Sequence, residues 1–226
     1  MIPRLLLGTA AIPGGGELKL FQRGDDFMIA LDRNELMSSR MSGSEEALAE
    51  MAIARLGDRP APHILIGGYG MGFTLRKALA LLGPRAQVSV AELVPGIIEW
   101  AEGPMAALTG NGLTDPRTLL VMGDVGMVIE HAQAKYDAIL LDVDNGPDGL
   151  SRAENNRLYS RAGIAAARMA LRPGGVLAIW SAAPDPAFTR RLEGQRFDVE
   201  EVVIRARANG KGPRHVIWFA TKRAGA

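Results

Sequence analysis

Residues 63–82, HILIGGYGMGFTLRKALALL, constrain this chain more than any other stretch. A short apolar run at 64–66 is followed by glycines at alternate positions, Gly68, Gly70 and Gly72. Beyond them Leu75, Ala78, Leu79 and Leu82 recur at the spacing of one helical face. The pattern predicts a strand over 64–66, a glycine turn, and a helix beginning near Phe73. Glycine in such a turn permits backbone angles closed to other residues and lets a ligand lie against the main chain. Amides at the start of the helix carry partial positive charge and suit a carboxylate, a phosphate or hydroxyls. A tight strand-to-helix turn with no ligand would use the same residues.

Register narrows the choice. A dinucleotide fingerprint needs G-x-G-x-x-G, but its third glycine would fall on Phe73 when counted from Gly68 and on Leu75 when counted from Gly70. A P-loop needs Gly-Lys-Ser/Thr, which does not follow. What remains is G-x-G-x-G after a strand, the pattern of folds that bind S-adenosylmethionine (SAM).

The rest of the composition mainly excludes. A chain of 226 residues makes one domain, or one with a small appendage, and can bury a proper core. The formal charge of +1, without a long basic run, points to neither nucleic acid nor an anionic membrane. Cysteine is absent, so disulfides, thiolate metal sites and a cysteine nucleophile are excluded. The apolar run at 5–7 is too short for a signal peptide or a membrane span. These features lead us to expect a soluble, cytoplasmic protein acting on a small molecule, with no nucleic-acid or membrane partner.

Along the chain, residues 1–16 read as a loose arm. Residues 17–39 alternate in short runs broken by Gly, Asp and Asn, which predicts a small antiparallel hairpin or meander. Ser44, Glu45 and Glu46 have the character of a helix start, with Ala47, Leu48, Met51, Ala52 and Leu56 on one face. After the glycine stretch come a strand at 88–93, a helix from Pro95 to about Ala107, and a strand at 118–124. A helix over 125–133 precedes an apolar strand at 136–144, which reads as buried on both faces. A polar loop, a long helix ending at Leu171, a turn at 172–175 and a strand at 176–182 follow. Strand and helix in alternation indicate a parallel α/β sheet. Residues 197–205 and 215–221, with no helix between them, should close it as an antiparallel hairpin. The expected fold is an α/β, Rossmann-like sandwich of the SAM-dependent methyltransferase type. Its expected division is an N-terminal hairpin-and-helix appendage at 1–57 and a SAM-binding domain at 58–226.

In open α/β sheets ligands bind outside the carboxyl ends of the strands. Acidic residues stand at these ends. Glu92 closes the second strand, where a carboxylate takes a ribose hydroxyl pair, and Asp124 closes the third, where it could accept the adenine amino group. Asp142 and Asp144 close the fourth, on the substrate side. Asp124 would also serve as a helix cap. The segment DVDNGPDG resembles a calcium loop, but the required glycine and glutamate positions hold Pro147 and Ala153, so no metal is expected. His63, His131 and His215 read as structural, Trp100 and Met105 as helix packing residues, and Trp180 and Trp218 as core or dimer-face residues.

ILIGGYGMGFTLRKAL, VAEL, GD, YDAILLDVD, LYS at 158–160 and LRPGGVLAIWS together resemble the spermidine synthase (polyamine aminopropyltransferase) family. The resemblance covers roughly residues 17–221 and includes the hairpin ahead of the glycine stretch. It implies a transferase that binds adenosine through Gly68, Gly70, Gly72, Glu92 and Asp124; a homodimer is expected. It also marks departures. The family's aspartate in GGGDGG, which helps hold the aminopropyl amine, is here Met71. Its glutamine falls at Leu36 or Met37, and its Tyr-His-Glu falls at Ser44, Glu45 and Glu46, of which only Glu46 matches. The D-S-S-D-P loop becomes Asp142-Val143-Asp144-Asn145-Gly146-Pro147, with the second carboxylate shifted by one.

The sequence therefore leads us to expect in-line attack of an amine or hydroxyl on a carbon bonded to the cofactor's sulfonium. The protein would align the reactants and remove a proton, with Asp142 first and Asp144 second in that role. Two chemistries share such a site: methyl transfer from SAM, and aminopropyl transfer from decarboxylated SAM. The loss of a carboxylate at Met71 favours methyl. A non-catalytic nucleoside-binding module is a third reading, against which the carboxylates at 142 and 144 argue.

Overall fold

The alternation in residues 17–38 does form strands, and a further strand precedes them. The computed structural model describes residues 3–32, 34–143, 157–207 and 209–223. β1 (Leu5–Ala11), β2 (Glu17–Arg23), β3 (Asp26–Leu31) and β4 (Asn34–Ser38) make an antiparallel four-stranded sheet in that order. The expected loose arm is thus corrected. The glycines at 14–16 do not end the order but turn the chain, with Gly15 N donating to Ile12 O and all three at positive φ. β1 is held from below at Gly8, where a Cβ would come within 2.8 Å of Trp100 Nε1.

α1 (Gly43–Ala54) buries Leu48, Ala49 and Ala52 and packs against α2 (Phe73–Leu81) and the larger sheet. That sheet has seven strands: β5 (His63–Gly67), β6 (Gln87–Glu92), β7 (Thr118–Met122), β8 (Tyr136–Leu141), β9 (Leu171–Ser181), β10 (Phe197–Arg205) and β11 (Arg214–Lys222). Their order is β10-β11-β9-β8-β5-β6-β7. β5 to β9 pair in parallel, while β11 runs antiparallel to both β9 and β10. This is the expected parallel α/β sheet with its antiparallel close. β8 is buried along its whole length, as its unbroken apolar run requires.

α3 (Pro95–Glu102) begins at the expected proline but stops at Gly103, and a short α4 (Ala106–Thr109) follows, so one long expected helix is two. α5 (Val125–Glu130) and α6 (Arg161–Ala170) pack together on one face with α7 (Pro186–Gly194). α7 was not legible in the sequence beforehand. Asp185 caps it, accepting from the amides of Ala187 and Phe188. The segment expected as a turn at 172–175 is the irregular start of β9.

At the amino ends of the strands the buried Asp137 gathers three donors. Arg59 Nη1 donates to its Oδ1, Arg172 Nη1 donates to Oδ2 at 2.6 Å, and the His63 amide donates to Oδ2 at 2.8 Å. The opposite, carboxyl ends of β5, β6 and β8 open into a cavity.

Candidate active site

A cavity of about 310 Å³ lies between the carboxyl ends of β5, β6 and β8 and the small antiparallel sheet. Gly68 and Gly70 form part of its wall, both at positive φ, 83° and 55°. A Cβ at Gly68 would sit 3.1 Å from the Asp142 carbonyl oxygen, and one at Gly70 would sit 2.6 Å from Met37 Cε. Gly72 differs from its neighbours. It caps α2 at φ 75°, tucked under the Tyr69 ring, and is not among the cavity-lining residues.

Glu92 is buried at the end of β6 with both oxygens engaged. Oε2 accepts from the Tyr69 amide and Oε1 from the Val94 amide, each at 2.8 Å. One carboxylate thus ties the glycine turn to the start of α3 while lining the cavity. Burial pushes its pKa up, and the amides partly oppose that. Asp124 also lines the cavity, and its Oδ1 accepts from the Gly126 amide at 2.6 Å, capping α5. The capping role and the cavity position coexist.

Asp142 follows β8 directly and lines the cavity. Burial, and after it the charge of Glu45, holds its carboxyl well above the usual range. Asp144, the second expected catalytic residue, lies outside the described residues. Glu45 is the acid that the sequence reading passed over. Glu46 is the residue of the trio that matches the resemblance, yet Glu45 is the one on the cavity wall. It is 8% exposed, Ser44 Oγ donates to its Oε2 at 2.7 Å, and burial raises its pKa to about 7. The helical register explains the change: with the helix starting at Gly43, position 45 turns inward and is buried beside Ser44.

His215, expected to be structural, and Trp180, expected in the core or on a dimer face, also line the cavity, with their rings edge to face at 4.7 Å. His215 Nδ1 lies 3.1 Å from Ser44 Oγ, and burial lowers its pKa. The other two histidines fit the structural reading. His63 meets Ser89 Oγ at 2.9 Å and the Tyr136 ring, and His131 Nδ1 donates to Met127 O. Met71 is fully buried in the core and does not reach the cavity. The remaining wall is hydrocarbon, chiefly Leu18, Ile29, Leu31, Leu36 and Met37 from the small sheet.

These residues fit an adenosine-bearing sulfonium. The open glycine wall would be filled by any Cβ, Glu92 retains acceptor lone pairs beside it, and Asp124 stands at the next strand end. Among the described residues no three His, Asp or Glu side chains are grouped to hold a metal ion. No described helix is long and apolar enough to cross a membrane.

The Spermine/spermidine synthase domain family matches residues 42–190. The chain belongs to that family. Its sequence is 32% identical over 120 residues to the polyamine aminopropyltransferase of Korarchaeum cryptofilum, covering 53% of this chain and 35% of that protein. It is 29% identical over 171 residues to the Mycobacterium tuberculosis polyamine aminopropyltransferase, covering 74% and 31%. Putrescine N-methyltransferase 2 of Nicotiana attenuata is 35% identical over 124 residues, covering 54% and 32%. The matched part thus spans 31% to 35% of these relatives' own length. The crystal structure of spermidine synthase from Thermotoga maritima superposes with a TM-score of 0.75 at 20% identity, covering 96% of this chain and 72% of that one. That likeness is one of fold, and it includes the small sheet ahead of the glycine turn.

Proposed function

We propose that this member of the family is a SAM-dependent transferase that moves a methyl group onto a small-molecule nucleophile, an amine or a hydroxyl. The observation that carries the reading is the state of position 71. Met71 is sealed in the core, and the wall opposite Gly70 is the Met37 thioether, so neither residue can pair with an ammonium there. Decarboxylated SAM carries an ammonium with no carboxylate of its own, and position 71 gives it no counter-ion, so it would have to compete with the acceptor for the cavity's other acids. SAM carries a carboxylate beside its own ammonium, which lessens the need for a counter-ion from the protein. The relationship to plant putrescine N-methyltransferases supports the same choice, since methyl transfer to an amine occurs among the named relatives.

In this reading Gly68 and Gly70 admit the cofactor, Glu92 takes the ribose hydroxyls and Asp124 takes the adenine amine. The cofactor supplies a carbon made electrophilic by the sulfonium, with a neutral thioether as leaving group. The protein's task is alignment and proton removal. Asp142 orients the nucleophile and accepts its proton, and Asp144 is a second candidate for that role. The small apolar sheet screens the reacting atoms from water. As part of the reading the chain is a cytoplasmic homodimer, which sedimentation would test.

Competition binding with SAM and decarboxylated SAM, followed by mass spectrometry of putrescine incubations, tests the reading. SAM should bind more tightly, and putrescine should give no product. A gain of one aminopropyl unit on putrescine would overturn the methyl reading in favour of the activity named for the archaeal and mycobacterial relatives.

A further inference from the structure

Trp180 and His215 leave one hydrogen-bond donor and one acceptor open on the same cavity wall. Ile217 pairs with Trp180 where β11 meets β9, and His215 stands two residues along, so both rings rise from one face of the sheet. Their centroids are 4.7 Å apart, and both line the cavity. Trp180 is 9% exposed, and its indole Nε1 is buried with no hydrogen-bond partner among the described residues. A buried donor without a partner is uncommon and costly.

The open acceptor is fixed by the neighbours of His215. Once ionised, above about 7, the Glu45 carboxylate can only accept, so the single proton of Ser44 Oγ goes to Glu45 Oε2 at 2.7 Å. Ser44 Oγ then accepts from His215 Nδ1, 3.1 Å away. Burial works against a charged imidazole, and a neutral ring with its proton on Nδ1 keeps a lone pair on Nε2. That nitrogen has no partner among the described residues.

We propose that Trp180 and His215 are a specificity-determining pair for a neutral hydroxyl on the acceptor, whose oxygen accepts from Trp180 Nε1 and whose proton is donated to His215 Nε2. The proposal rests on the transferase reading and narrows its substrate class. With the two rings in contact, one atom that both donates and accepts completes the pair, and a hydroxyl oxygen is such an atom. An ammonium has only donors and would leave the indole N–H unpaired. A carboxylate has only acceptors and would face the lone pair on Nε2. The hydroxyl is held and not consumed, so proton removal from the nucleophile stays with Asp142. Leu18, Ile29 and Leu31 take the apolar body that carries it.

The test is nuclear magnetic resonance of the full chain with isotope-labelled histidine, at about pH 8.5, where Glu45 is ionised. The His215 ring should carry its proton on Nδ1. Benzyl alcohol and the isosteric ethylbenzene are then titrated in. The alcohol should bind at least about tenfold more tightly, a factor that corresponds to about 1.4 kcal/mol, and should shift the Nε2 resonance. Trp180→Phe, which keeps a ring but removes the donor, should lose most of that preference. A His215 proton on Nε2, equal or tighter binding of ethylbenzene, alcohol binding that leaves Nε2 unmoved, or no alcohol binding would each overturn the proposal. Equal binding would mean that a water completes the pair instead. Titration of S-adenosylhomocysteine tests the transferase reading separately. If it fails while the alcohol remains selective, the transferase reading falls and the hydroxyl site stands.

Discussion

His215 Nδ1 lies 3.1 Å from Ser44 Oγ, joining the last strand of the large sheet to the first turn of α1 across 171 positions of sequence. Ser44 Oγ in turn donates a hydrogen bond to Glu45 Oε2 at 2.7 Å. Burial lowers the pKa of His215, which works against a cation beside this hydrogen-bonded chain.

A pH dependence follows from this arrangement. Glu45 titrates near 4.5 when unfolded and at about 7 when folded, so across that window the folded protein holds a proton that the unfolded chain has lost. Stability from this group is whole below 4.5, declines as pH rises, and is gone above about 7. The decline should be on the order of 3 kcal/mol at most, at about 1.4 kcal/mol per pH unit. Urea denaturation at about pH 5 and about pH 7.5 checks it, with Glu45→Gln expected to flatten the slope in part. A residual slope of the same sign should remain from Asp142, whose folded pKa is also raised.

Glu92→Ala should act on both binding and folding. It orphans the Tyr69 and Val94 amides, each at a cost of about 1–3 kcal/mol when buried, and it removes the proposed ribose acceptor. Denaturation and calorimetric titration with SAM should therefore both shift, whereas a purely structural Glu92 would move only the first.

Gly70→Val places a branched side chain at φ 55°, a conformation that costs roughly 1–2 kcal/mol for such residues. It also drives that side chain into the space held by the mobile end of Met37. SAM binding should be abolished while the circular dichroism of the sheet persists. Normal binding by the variant would make the turn purely structural.

Met71→Asp does not restore the family's counter-ion. The side chain at 71 is sealed in the core, so the carboxylate would be buried without a partner, and the chain should lose several kcal/mol in a urea titration. Decarboxylated SAM should gain no affinity.

Legibility in the sequence followed periodicity. The glycine turn, the strand-ending acids and the antiparallel close could be read because spacing alone sets them. β1 escaped because its pairing depends on a partner strand and on Gly8 fitting over Trp100, neither of which is local. α7 escaped because its apolar face is only Phe188 and Leu192, and its start rests on the Asp185 cap. Glu45 was missed for a subtler reason. Two adjacent glutamates differ by about 100° around a helix, and only the true first residue of α1 decides which one turns inward. His215 and Trp180 reach the cavity through strand pairing between β9 and β11, which no local pattern encodes.

Asp137 and the cavity occupy opposite ends of the same strands. Arg59, Arg172 and the His63 amide close on Asp137 at one end, while the residues facing the proposed acceptor come mainly from the separate small sheet at the other. The rivet and the mould are different parts. A lineage, or an engineer, can recut Leu18, Ile29, Leu31 and Leu36 to suit a new acceptor and leave the fastening of the large sheet as it is.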